Sequence, residues 1–134
     1  MNWGFSKNFY SMIIGTSEGL NTAASLLQKS IKEMLNFTKS LGGQEETVYG
    51  LAGLGDLYVS SAGGRNSKMG KYLGQGELYS KAKSKFMLNE TVEGAQLAFE
   101  IGPKILNDFD HTEFPLMYNL VDALYNDKKL KINW

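Results

Sequence analysis

Apolar residues recur along most of this chain at three- and four-residue intervals, and that spacing predicts helices. Phe5, Phe9, Met12, Ile13 and Leu20 fit a first helix, interrupted near Gly15 and Gly19. Asn21 or Thr22 can cap a second, with apolar positions Leu27, Ile31, Met34, Leu35, Thr38 and Leu41 and a stop at Gly42-Gly43. After a glycine-punctuated stretch, Asn89 through Thr91 can open another helix. Its buried face is Val92, Ala95, Ala98, Phe99, Ile101 and Ile105, with a kink or break expected at Gly102-Pro103. Pro115 opens a last helix carrying Leu116, Leu120, Val121 and Leu124. No segment alternates long enough to be a strand, and no repeat or linker divides the chain. The expected fold is one all-α domain.

Composition narrows this only slightly. The 134 residues suit a single domain with a real core, and 43% hydrophobic with 21% charged residues is ordinary for a globular protein. Lys plus Arg balance Asp plus Glu at 14 each, so no global field draws the chain to nucleic acid or a lipid surface. With no cysteine there is no disulfide, thiolate metal site or cysteine nucleophile, which fits a cytoplasmic location. No apolar run approaches the roughly 18 residues of a membrane span, and the N-terminus lacks a signal-peptide pattern.

The segment Gly50-Leu51-Ala52-Gly53-Leu54-Gly55-Asp56-Leu57 invites a nucleotide-binding reading, which its context opposes. The third glycine of the dinucleotide fingerprint is absent, and a helix rather than a strand precedes it. Asp56 alone reads as a helix cap. Gly63-Gly64-Arg65-Asn66 adds freed backbone N–H groups and a forked donor, a combination suited to a phosphate dianion. A solvated arginine in a turn is the plainer reading. Glu90 and Glu93 stand where a helix start favours carboxylates anyway. His111, the only histidine, sits in a polar run with nothing to make it a metal ligand or a catalytic partner, and reads as a loop residue. Lys128, Lys129 and Lys131 read as a solvated tail.

Taken in order, these pieces resemble the C-terminal domain of NAD(P)-dependent glycerol-3-phosphate dehydrogenases over nearly the whole chain. The carriers are Lys7-Asn8 with Glu18-Gly19-Leu20, Gly53-Leu54-Gly55-Asp56-Leu57, Arg65-Asn66, Val92-Glu93-Gly94 and Phe114-Pro115-Leu116. The loop before Arg65 is shorter than in many bacterial members, and Gly64 stands where those carry serine. The resemblance implies a single helical bundle like the C-terminal domains of glycerol-3-phosphate and 6-phosphogluconate dehydrogenases. It also implies interconversion of sn-glycerol 3-phosphate and dihydroxyacetone phosphate.

Lys7 is then the general base. Asn8, Asp56, Ser60, Gly64, Arg65 and Asn66 hold the substrate, and Arg65 and Glu93 reach the cofactor. That cofactor is NAD or NADP, held mainly by a Rossmann domain that these residues do not include. The expectation is an excised domain or one product of a split gene, inactive until the Rossmann domain joins it in cis or in trans. Two further readings stand beside this one. The chain could belong to a related dehydrogenase acting on another 2-hydroxy compound, for which the Arg65-Asn66 clamp would have little use. Alternatively, it is a non-catalytic helical module that exposes an apolar face and forms a homodimer through it.

Overall fold

A computed structural model describes residues 3–16, 20–40 and 64–131. Among them are six helices and no strand: α1 (Trp3–Gly15), α2 (Leu20–Ser40), α3 (Arg65–Gly74), α4 (Tyr79–Phe86), α5 (Glu93–Asp108) and α6 (Pro115–Tyr125). The all-α expectation holds for these residues. No helix among them is long and apolar enough to cross a membrane.

Helix α1 is apolar on nearly every side, and a helix of that kind belongs inside. Phe9, Tyr10, Met12 and Ile13 are fully buried, and α2, α3, α5 and α6 all pack against it. Helix α6 adds Leu116, Met117, Leu120, Val121 and Leu124 to this core. Phe37, Phe109 and Phe114 close one end as an aromatic trio with ring centroids 5.2–6.2 Å apart, in the tilted and edge-on arrangements that ring quadrupoles favour.

The tightest contact joins α1 and α3. A side-chain carbon placed on Gly70 would lie 2.0 Å from the carbonyl oxygen of Met12, and one on Gly74 would lie 2.4 Å from that of Thr16. Four residues before Gly70, Asn66 meets Asn8. Asn8, Met12 and Thr16 thus meet Asn66, Gly70 and Gly74 in the same order, so along this row the two segments run in the same sense, and Gly15 packs in turn against the Ser67 backbone. Helix α3 ends in a Schellman turn, with Gly76 at φ 94 and N–H groups of Gly76 and Glu77 bonded to Leu73 and Tyr72.

Besides α3, which starts on Gly64, three helices start without a local side-chain cap, on Leu78, Val92 and Phe114, and in each of these three an acceptor from elsewhere in the chain takes first-turn N–H groups. Asp127 accepts from the N–H (3.0 Å) and hydroxyl (2.6 Å) of Ser80 in α4. Asn66 accepts from Gly94 in α5, and Glu33 accepts from Leu116 and Met117 in α6. Helix α5 therefore begins at Glu93 rather than at a cap supplied by Asn89 or Thr91. It also runs unbroken through Gly102-Pro103, although the proline removes the N–H that would bond to Phe99. The buried Ala95, Ala98, Gly102 and Ile105 anchor both halves of α5, whereas Phe99 is 42% exposed. Asn21 and Thr22 lie inside α2, and Gly42-Gly43 falls outside the described residues.

Glu33 is the most demanding of these caps because its carboxyl is buried. It accepts from Tyr10 Oη at 2.8 Å, Met117 N at 2.7 Å and Leu116 N at 3.0 Å. Burial pushes its pKa up from the ordinary value of 4.5, while the two N–H groups and the phenol pull it back. Burial, reinforced by the adjacent Glu33 carboxylate, drives the Tyr10 hydroxyl well above its usual range. Glu33→Gln would turn an NH2 group towards one of the buried N–H donors, at a cost of about 1–3 kcal/mol in denaturant unfolding. A carboxyl raised on folding contributes most below its unfolded pKa, and loses that contribution as pH rises through the folded value. The advantage of the wild type over Glu33→Gln should therefore narrow from acid to neutral pH. Paired urea titrations at the two pH values measure it, and a widening advantage would refute the assignment.

Candidate functional site

Two helix N-termini and the middle of α1 meet at one place. Gly64, with an extended backbone (φ −78, ψ 170), is the N-cap residue of α3 and leads directly into Arg65 and Asn66 in its first turn. Glu93 and Gly94 form the first turn of α5. Asn8 lies on α1, immediately after Lys7.

Asn66 ties the three segments together. Its Oδ1 accepts from Gly94 N–H at 2.9 Å, and its Nδ2 donates to Asn8 Oδ1 at 3.2 Å. These bonds span 28 and 58 residues of sequence, so the assembly is a product of the fold and not of local chain geometry. Asn66 itself is only 9% exposed. A side-chain carbon on Gly94 would press on this cluster, lying 3.0 Å from both Asn66 Oδ1 and Met12 Cε and 3.3 Å from the Asn8 carbonyl oxygen.

At the open edge of this cluster Arg65 Nη2 donates to Glu93 Oε1 at 2.6 Å, with the side chains 50% and 40% exposed. One turn along α3, Lys68 donates to Glu90 Oε2 at 2.8 Å, and this bond raises the lysine pKa. Pairs this exposed contribute little to stability and are easily exchanged for other partners. An anionic ligand would find the Arg65 guanidinium already gathered at the first turn of α3, where the helix dipole also favours negative charge.

The structure thus brings together Asn8, Gly64, Arg65, Asn66 and Glu93 from the residues expected in the site, and puts Lys7 on the same helix as Asn8. Asp56, Ser60 and Gly63 lie outside the described residues. Sequence reasoning missed the Gly94 N–H as the group that orients Asn66, and the Lys68–Glu90 pair. The motifs Arg65-Asn66 and Val92-Glu93-Gly94, with Glu90, had marked the neighbourhood but not these bonds. His111 lies in the turn between α5 and α6, exposed, with its ring 5.5 Å from that of Tyr118.

Residues 2–133 match the family model of the NAD-dependent glycerol-3-phosphate dehydrogenase C-terminus. A glycerol-3-phosphate dehydrogenase (NAD(P)+) of Clostridium botulinum strain Eklund 17B is 38% identical over an alignment of 136 residues, covering 96% of this chain and 40% of that protein. One from Fusobacterium nucleatum subsp. nucleatum is 33% identical over 132 residues, covering 93% and 38%. The crystal structure of glycerol-3-phosphate dehydrogenase from Coxiella burnetii superposes with a TM-score of 0.77 at 28% identity, covering 95% of this chain and 40% of that one. The chain spans about two-fifths of the length of these relatives.

Proposed function

Since the chain belongs to the family of NAD-dependent glycerol-3-phosphate dehydrogenase C-termini, we propose that it supplies the substrate clamp and the proton-handling lysine for interconverting sn-glycerol 3-phosphate and dihydroxyacetone phosphate. The observation that carries this reading is the meeting of Asn8, Gly64–Asn66 and Glu93–Gly94 at the two helix N-termini. In the proposed reaction Lys7 takes the proton from the C2 hydroxyl during oxidation and returns it during reduction. Asn8, Asp56 and Ser60 hold the substrate oxygens. Arg65 and the backbone around Gly64 and Asn66 hold the phosphate, far enough from C2 that their binding energy serves to position the reacting carbon.

The residues present fit a nicotinamide dinucleotide at the edge of this site. The exposed Glu93 carboxylate can accept from a hydroxyl or amide, and Arg65 is a donor for phosphate oxygens. When bound, NAD or NADP supplies or takes the hydride at C2. In this proposal its main binding surface belongs to a Rossmann domain outside these residues, so the 134-residue chain alone shows no turnover.

Arg65→Ala tests the clamp in an enzyme joining this chain to a family nucleotide-binding domain. Losing hydrogen bonds to a charged group should raise KM for dihydroxyacetone phosphate roughly tenfold or more, with a smaller change in kcat. Phosphate-free dihydroxyacetone should be a poor substrate for wild type and variant alike. An unchanged KM for the phosphate ester, or equal use of both ketones by the wild type, would favour a related dehydrogenase of phosphate-free compounds.

A further inference from the structure

We propose that the Asn66 side chain is a positioning group: it fixes the amide of Asn8 so that Asn8 offers hydrogen-bond donors, and no acceptor, to the substrate. This rests on the proposed reading of Asn8 as a substrate contact, and assigns Asn66 a different job from gripping phosphate with its amide.

Each link from Gly94 to Asn8 runs one way. The backbone N–H of Gly94 can only donate, so Asn66 must present Oδ1 to it. The other end of the Asn66 amide is then an NH2 group, which also can only donate, so Asn8 must present Oδ1 in turn. The reverse setting of Asn66 would face NH2 against N–H at 2.9 Å and leave a buried donor unsatisfied. Asn66 is too deeply buried for water to relieve that conflict. A main-chain group of α5 therefore sets the sense of an amide on α1, through α3.

The result suits the chemistry. The Asn8 Oδ1 faces Asn66, which leaves the Nδ2 hydrogens as the end of the amide that a ligand can meet. The C2 oxygen accepts hydrogen bonds as a ketone carbonyl, as a hydroxyl and as the alkoxide between them. A donor helps at every stage, whereas an amide oxygen in that place would repel the carbonyl.

The test uses the full chain labelled with 15N. Asn66→Asp keeps an acceptor for Gly94 but replaces the donor facing Asn8 by an oxygen, so Asn8 must turn round. The expected spectrum retains slow exchange at the Gly94 amide and shows displaced Asn8 side-chain NH2 resonances. Unmoved Asn8 resonances would overturn the proposal, and so would fast Gly94 exchange in a variant that is otherwise folded. Asn8→Asp provides a second arm should Asn66→Asp fail to fold. Its carboxylate still accepts from Asn66, so the Asn66 NH2 should stay hydrogen-bonded and Gly94 should keep its slow exchange, and loss of protection at both would count against the relay.

With dihydroxyacetone phosphate as probe, Asn8→Ala should weaken binding roughly threefold to tenfold. Adding the uncharged Asn66→Ala to Asn8→Ala should cost little more, because the effect of position 66 passes through position 8. A full further loss in the double variant would mean that Asn66 meets the ligand itself. Should the wild type fail to bind the probe, the clamp reading falls, while the spectra without ligand still decide the relay.

Discussion

Replacing Lys7 by alanine is expected to lower kcat by about 10²- to 10⁴-fold, the usual contribution of a positioned acid–base group, in an enzyme that joins this chain to a nucleotide-binding domain. KM for dihydroxyacetone phosphate should change far less, because the proposed phosphate grip at Arg65 and the start of α3 is left intact. Lys7→Arg should not rescue turnover, since a guanidinium keeps its charge and cannot accept the C2 proton. An amine does so only when burial or nearby positive charge brings its pKa towards the working range. Steady-state kinetics of the three forms measure this. Retention of more than about a tenth of wild-type kcat in Lys7→Ala would remove Lys7 from the acid–base role.

The largest effect on stability should come from Gly70→Ala. The added carbon would sit 2.0 Å from the Met12 carbonyl oxygen and 3.0 Å from its carbon, and both are main-chain atoms that no rotamer change can move. Relief requires α1 and α3 to separate, which loosens the contacts of Met12 and Met69, both fully buried. The cost should reach about 3–4 kcal/mol, the upper range for a single substitution. Unfolding in urea would show it. Gly76→Ala is the useful comparison, because nothing lies within 4 Å of that position and only its φ of 94 opposes a side chain. Its cost should be about 1–2 kcal/mol. A Gly70→Ala protein as stable as Gly76→Ala would show that the helices do not approach this closely. The same substitution bears on function, because the register that sets Gly70 against Met12 also sets Asn66 against Asn8.

These contacts show what could be read from the sequence. The periodic positions of α1 and α6 were legible because packing on a single core imposes a helical repeat, and Pro115 marks the start of α6 in the usual way. Helices α3 and α4 were not legible. The glycine-punctuated stretch carries no helix signal of its own, yet Gly70 and Gly74 lie within α3, on the side that meets α1. The groups that cap α5 and α6 were hidden for another reason. Val92 and Phe114 are poor caps, and the groups that replace them, Asn66 and Glu33, are distant in sequence. The site shows the same division. Gly64-Arg65-Asn66 and Glu93 stood out as ordered motifs, yet nothing local shows that Asn66 spends its side chain on Gly94 and Asn8. Tertiary hydrogen bonds leave no mark on a local pattern.

The central claim is that this chain carries a preformed clamp for a phosphorylated three-carbon substrate. The most direct measurement is an NMR titration of the 15N-labelled chain with dihydroxyacetone phosphate, with Arg65→Ala as control. The account predicts saturable shifts at Gly64, Arg65, Asn66 and Gly94 that vanish in the variant. The absence of any shift at millimolar ligand, or shifts that persist unchanged in Arg65→Ala, would contradict it.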